Sequence, residues 1–234
     1  MKRRIKISLI LLLVGMAVIT AVPFLKEKRA ERKYENDFKN IQESVTEKKS
    51  DVNGLVKKNK DCIGYVEIQG TTISYPVMQT KDNPDFYLNH DFNRNYSFYG
   101  TPYLSAYCDV EKSDNLIIYG HNINGGKMFG ALEQYKDKEF FYKHRKIYFT
   151  TDKKREYEVF AVMSVNIHEF EYWKFVMARD EKEYDEFVDK VEEHSLWRQG
   201  NKPKYGEQML MLSTCDNGKG DDWRIVLIAK CVYS

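Results

Sequence analysis

The first sixty residues carry the bluntest polarity pattern in the chain. Lys2, Arg3, Arg4 and Lys6 precede an apolar run over residues 7–25 that only Ser8 and Thr20 interrupt. As a helix rising about 1.5 Å per residue, that run reaches roughly 28 Å, close to the hydrocarbon thickness of a bilayer. It predicts a signal anchor behind a basic tail of residues 1–6, with the N-terminus inside the cell. The protein would then be single-pass type II, with everything after the span outside. A cleaved signal peptide is the alternative, but Ile19 stands where an A-x-A cleavage site wants a small side chain. Residues 26–60 turn highly charged, yet Tyr34, Phe38, Ile41 and Val45 recur at helical spacing. A helical stalk, or a helix packed along the following body, is expected there, with a break at Asn53-Gly54.

Beyond Cys62 the pattern changes to short segments of β-branched and aromatic residues. Strands are predicted at residues 63–68, 72–78, 115–119, 146–150 and 156–165, punctuated by Gly70, Pro76, Pro84, Gly100 and Pro102. Two helices interrupt them. Residues 128–135 form a short one, and residues 180–196 a long one whose Tyr184, Phe187, Val188 and Val191 share an apolar face. Asp180 followed by Glu183 has the form of a capping box. The chain ends in two further strands, residues 207–214 and 223–232, joined by a loop rich in Asp, Asn and Gly. The last strand is apolar almost without alternation, so both its faces should be covered. The whole reads as mixed α/β, mainly β: a many-stranded barrel over residues 61–234 rather than a βαβ array.

Composition removes several function classes. The chain has 234 residues, 42% of them hydrophobic, enough for one catalytic-sized core. Its 37 basic and 35 acidic residues give a formal charge of +2, without the basic footprint of a nucleic-acid binder. The four cysteines, Cys62, Cys108, Cys215 and Cys231, form no C-x-x-C pair, and there is no H-E-x-x-H. Neither a metal nor any other cofactor is expected. The spacing leaves the cysteines open between disulfides and free thiols.

Cys215 ends the penultimate strand and Arg224 begins the last, so antiparallel pairing across their loop should bring them together. Directly opposed residues have Cβ atoms about 4.5–5.5 Å apart, which lets a thiol and a guanidinium bracket one carbonyl. Taken singly, a cysteine at a strand end is more often a small buried hydrophobe, and an arginine at a strand start a solvated charge. Their joint placement weakens both readings. Of five histidines, His121 sits at a strand tip beside a glycine, as a catalytic group on a rigid scaffold would. His90 is its competitor. Alternation puts Ser213 on the face of Cys215, and Thr214 on the other. Asn122 and Asp216 either orient His121 or serve their turns.

The segments Tyr119-Gly120-His121-Asn122 and Leu212-Ser213-Thr214-Cys215, with Arg224 nine positions on, resemble the signature of sortases. The resemblance runs from about residue 60 to the end. The long helix before the cysteine-bearing strand and the helix before the barrel are similar to additions found in class B. One departure is Met211, where many members carry threonine. The resemblance implies a closed barrel of about eight strands and covalent catalysis in two halves. Cys215 would attack a threonine carbonyl in a C-terminal sorting motif of N-P-x-T-N or N-P-x-T-G type, forming an acyl-thioester. His121 would protonate the departing amine and deprotonate the incoming one. Arg224 would hold the oxyanion, with Ser213, Thr214 and Asn122 as candidate substrate contacts. Partners would be surface proteins bearing such motifs, a lipid II-like peptidoglycan amine, and the membrane through residues 7–25. Rival readings are pilin polymerisation, an L,D-transpeptidase, a papain-like hydrolase and a non-enzymatic surface barrel. A papain-like chain order is contradicted by the histidine preceding the cysteine.

Overall fold

The computed structural model describes residues 52–233 continuously and, before them, residues 15–16, 19–26, 28–29, 32–33, 35–36 and 39, all helical. The basic tail and the stalk positions Tyr34, Phe38, Ile41 and Val45 lie outside the described residues, as does part of the 7–25 run. Among the described residues no helix is long and apolar enough to cross a membrane. The chain divides into two compact units, Met1–Lys49 and Ser50–Ser234. The second carries the barrel.

That unit opens with helix α1 (Val52–Lys58), which buries Val52 and Leu55. Strands β1 (Cys62–Ile68) and β2 (Ser74–Met78) form an antiparallel pair. Next come β3 (Tyr103–Leu104), β4 (Asn115–Tyr119) and a small hairpin of β5 (Asn122–Ile123) and β6 (Lys127–Met128). A 3₁₀ turn, Gly130–Lys136, leads into α2 (Lys138–Lys143). Then follow β7 (Lys146–Thr150), β8 (Lys154–Asn166), a 3₁₀ turn at Tyr172–Lys174 and α3 (Glu181–Glu193). The chain finishes with β9 (Ser195–Arg198), β10 (Met209–Cys215) and β11 (Trp223–Tyr233).

The sheet order is β11-β10-β4-β3-β2-β1-β7-β8-β9, and a second pairing of β11 with β8 closes the first eight strands into a barrel. Closure explains why Ile225 to Ala229 are all buried: β11 is paired on both edges and covered on both faces. Two pairings, β10 with β4 and β2 with β3, are parallel, so the barrel is mixed.

Helix α3 keeps the expected apolar face of Tyr184, Phe187, Val188 and Val191. Asp180 caps it by accepting from the Glu183 N–H at 2.9 Å. The Glu183 carboxylate reaches back to the Arg179 N–H, one residue beyond the usual capping box. The helix ends at Glu193 rather than near 196, because Ser195–Arg198 add to the free edge of β8 as β9. The short helix expected at 128–135 is a 3₁₀ turn shifted to Gly130–Lys136, since Lys127–Met128 is used by the hairpin. Phe187 stacks on Phe175 at 3.9 Å and leans on Phe170 at 5.5 Å, so α3 buttresses the segment around Tyr172. Burying a side chain of that size stabilises by about 1.5–3 kcal/mol.

Candidate active site

Cys215 and Arg224 are direct partners in the β10–β11 ladder, the last of seven consecutive pairs that begin at Met209 and Lys230. The parallel β4–β10 pairing runs to Tyr119 opposite Ser213. Two bonds carry the alignment past the strand end: the Gly120 N–H donates to the Ser213 carbonyl at 3.1 Å, and Thr214 Oγ1 donates to the Gly120 carbonyl at 2.7 Å. Continuing that register brings His121 level with Cys215. Gly120 must be glycine for this, because a Cβ there would meet the Phe129 ring at 2.8 Å.

All three side chains line one cleft of about 1010 Å³ at the mouth of the barrel, walled by Tyr103, Tyr119, Tyr172, Trp173 and Leu88 among others. His121 Nε2 lies 2.8 Å from the Leu88 carbonyl oxygen, and the ring is near-parallel to Phe98 at 6.4 Å. Arg224 is steered by carbonyls of its own hairpin loop: Nη1 donates to Asp221 at 2.5 Å and to Trp223 at 2.9 Å. Among the described residues no carboxylate stands within ion-pair distance of Arg224, so its fork is not neutralised by a partner. Burial pushes the Tyr172 phenol up to about 12, and it pushes Tyr103 and Tyr119 up as well. These cleft phenols therefore stay protonated and act as hydrogen-bonding walls, not as bases.

All four cysteines are free thiols. Burial pushes Cys62 up to about 12 and Cys108 up to about 11, which makes both inert. Cys215 is partly exposed and is the one cysteine lining the cleft.

Of the other residues singled out from sequence, Ser213 and Thr214 line the cleft, but their hydroxyls are engaged internally. Ser213 Oγ lies 2.7 Å from the Tyr172 hydroxyl, and Thr214 bonds Gly120. Asn122 does not line the cleft. Its amide donates to Glu133 at 2.7 Å and to the Cys215 carbonyl at 2.8 Å. His90 lies outside the cleft too, bonded to the Phe86 carbonyl at 2.7 Å and stacked on the Phe86 ring. Asp216 is fully buried behind the hairpin, where it accepts from Lys136 Nζ at 2.6 Å and Ser164 Oγ at 2.6 Å. Burial raises its carboxyl, but the Lys136 and Ser164 hydrogen bonds and the Lys136 charge outweigh this and hold it below the usual carboxylate range. Sequence reasoning missed Tyr172, Leu88 and Lys136. They come from three separate 3₁₀ turns, Tyr172–Lys174, Phe86–Leu88 and Gly130–Lys136, none of which has a periodic signal.

A thiol, an imidazole and an unpaired guanidinium meeting in one cleft on a closed barrel define a cysteine acyl-transfer enzyme of the transpeptidase class. The sortase domain model matches residues 66–232. Sortase B of Listeria monocytogenes serovar 1/2a is 32% identical over 189 residues, covering 80% of this chain and 76% of its own. The Staphylococcus aureus sortase B–substrate complex superposes with a TM-score of 0.77 at 26% identity, covering 89% of this chain and 99% of that one. A sortase B solved with triglycine gives a TM-score of 0.76 at 28% identity, covering 88% of this chain and 99% of that one. The chain belongs to the sortase family, and within it to class B.

Proposed function

We propose that this protein is a membrane-anchored transpeptidase. It cleaves a C-terminal sorting motif of the N-P-x-T-N or N-P-x-T-G kind after threonine and joins the new carboxyl to the amine of a lipid II-like peptidoglycan precursor. The observation that carries this reading is the direct pairing of Cys215 with Arg224 in the cleft that His121 also lines. Cys215 Sγ attacks the threonine carbonyl and forms an acyl-thioester while His121 gives a proton to the departing amine. The acceptor amine then attacks the thioester, loses its proton to His121 and releases the thiol. Arg224, unpaired and steered by its loop carbonyls, receives the oxyanion of both tetrahedral intermediates. Asn122 is assigned to holding the Cys215 carbonyl rather than to substrate. Ser213 and Thr214 shape the substrate channel from the strand beneath.

A sortase B solved with substrate and one solved with triglycine support a peptide donor and an amine acceptor. The apolar run over residues 7–25, with its basic tail, supports anchoring with the catalytic domain outside the cell. The central test is intact-mass spectrometry of the protein mixed with N-P-x-T peptides. A thioester adduct mapped to Cys215 is expected, and cleavage that persists in Cys215→Ala would refute the assignment. Membrane-extracted protein should keep its N-terminus; a mature start near Val22 would overturn the anchor.

A further inference from the structure

His121 meets only a carbonyl on one side. Nε2 lies 2.8 Å from the Leu88 oxygen, and a carbonyl only accepts, so Nε2 carries the proton. Among the described residues Nδ1 has no partner, which leaves its lone pair, or its proton in the imidazolium, for the cleft. The carbonyl is itself held from several directions. Leu88 ends a 3₁₀ turn and donates its N–H to the Asp85 carbonyl at 3.0 Å. The buried Tyr87 hydroxyl accepts from Asn59 at 2.8 Å and donates to Asp61 at 2.8 Å, tying the turn to the segment after α1. Further on, the chain doubles back so that the Thr101 N–H donates to the Tyr87 carbonyl at 2.9 Å. Gly100 makes this possible. Its φ is +59°, and a Cβ there would sit 2.4 Å from the Leu88 oxygen and 2.7 Å from the Tyr87 oxygen.

We propose that the 84–101 loop is a positioning device for His121. The Leu88 carbonyl locks the Nε2–H tautomer, Nδ1 exchanges every catalytic proton, and Gly100 is the positioning residue that gives the carbonyl its place. This rests on the reading of His121 as proton carrier. In the first half-reaction the thiol proton passes to Nδ1, the S–C bond forms, the C–N bond breaks, and the Nδ1 proton leaves on the departing amine. In the second the incoming amine gives its proton to Nδ1, the N–C bond forms and the C–S bond breaks, after which the thiolate recovers that proton. Nε2–H stays on Leu88 throughout, so the carbonyl stabilises the imidazolium without taking a proton. The turn was invisible as a functional element in the sequence because Leu88 acts through its main chain.

The test uses the full chain in detergent with ¹⁵N-labelled histidine, the His121 signals being assigned by their loss in His121→Gln. Long-range ¹H–¹⁵N correlations of the wild type should show Nε2 protonated and Nδ1 bare in the neutral ring. Nδ1–H as the resting tautomer would overturn the proposal. In Gly100→Ala, turnover of a fluorogenic N-P-x-T peptide should fall roughly 10²-fold in kcat, the scale expected for an ångström of misplacement. KM should stay near the wild-type value, and the His121 signals should shift to mixed tautomers. Gly200→Ala is the control: its φ is +69°, but a Cβ there meets nothing within 4 Å, so it carries the left-handed strain without the clash. It should leave both readouts unchanged. Wild-type kcat with an unshifted tautomer in Gly100→Ala overturns the proposal. If that variant does not fold, the wild-type spectrum alone decides. Full turnover in His121→Gln overturns the proton-carrier reading and the proposal with it, whereas lost turnover there with an Nδ1–H wild type overturns the proposal alone.

Discussion

The two halves of the cleft are built by different means. Cys215 and Arg224 arrive on one hairpin as the final rung of a ladder of seven pairs, whose second strand is also paired along β8. His121 arrives past the end of β4, steadied by two bonds to β10 and by a carbonyl 33 residues earlier in the chain. Redundant pairing makes the first geometry hard to disturb by any single contact. The second depends on a few contacts, each of which can be removed. The difference predicts that substitutions on the hairpin act through lost chemistry with the fold intact, whereas substitutions around the histidine act through displacement.

The sharpest break on the hairpin side is Cys215→Ala. Peptide cleavage and thioester formation should fall to background, while the thermal midpoint stays close to wild type because the ladder bonds are main-chain. A collapse of the midpoint would mean that the hairpin is less redundant than its pairing suggests. Arg224→Lys should come next. A lysine keeps the charge but lacks the planar fork, and the expected loss is roughly 10²–10³-fold in kcat with KM little changed, about the effect of removing one oxyanion donor. A loss confined to KM would assign Arg224 to ground-state binding instead.

Behind the hairpin lies the one part of this side that does depend on a single pair, Asp216 with Lys136. Lys136→Met leaves a fully buried carboxylate with only Ser164 and the Gly218 N–H, and removing one partner of a buried pair costs about 3–5 kcal/mol. The value should fall at the lower end, because Lys136 is 32% exposed. Its sign with pH is fixed by Asp216. In the wild type the folded carboxyl sits below its unfolded value, so it adds stability above about pH 4 that is lost as pH falls through the folded value. In Lys136→Met the Lys136 hydrogen bond and charge are lost, so burial is opposed only by the Ser164 and Gly218 hydrogen bonds. The carboxyl rises relative to the wild type, and the variant regains ground as the group protonates. Denaturant midpoints of the two proteins should therefore converge on acidification. Curves that stay parallel would show that Asp216 does not carry the difference.

Legibility in the sequence divides along the same line. The Cys215–Arg224 pairing could be read because strand, Asp-Asn-Gly turn and strand are local, and the ladder register follows from the turn. His121 could be read as a strand tip because the run from Leu116 to Tyr119 is apolar, with β-branched Ile117 and Ile118, up to Gly120, and the strand spans Asn115–Tyr119. Barrel closure was legible only indirectly, from the apolar last strand whose two faces both had to be covered, and the strand count came from the resemblance. The β8–β11 pairing joins segments far apart in the chain, and β3 is two residues long, too short for any period. Tyr172 meets Ser213 across 41 residues, and Leu88 meets His121 through its carbonyl, which no side-chain pattern encodes. Asn122 was read by its position beside His121, yet its amide turns to the Cys215 carbonyl, a contact 93 residues away.

The smallest predicted effect tests how far the cleft wall tolerates change from outside. Asp180 caps α3, and Phe187 of that helix stacks on Phe175, whose carbonyl accepts from Asn115 Nδ2 at 2.8 Å at the start of β4. Asp180→Ala removes one cap bond and should cost about 1 kcal/mol. The Glu183 bonds to Arg179 at the same helix end remain, which limits fraying to the first turn. Because Tyr184 still anchors the helix by donating to the Glu207 carbonyl at 2.6 Å, the Phe187–Phe175 stack should persist. The midpoint should drop while kcat and KM with a fluorogenic N-P-x-T peptide stay at wild-type values. A fall in kcat out of proportion to the lost stability would place α3 on the histidine side of the comparison, as an element whose position the chemistry feels through β4.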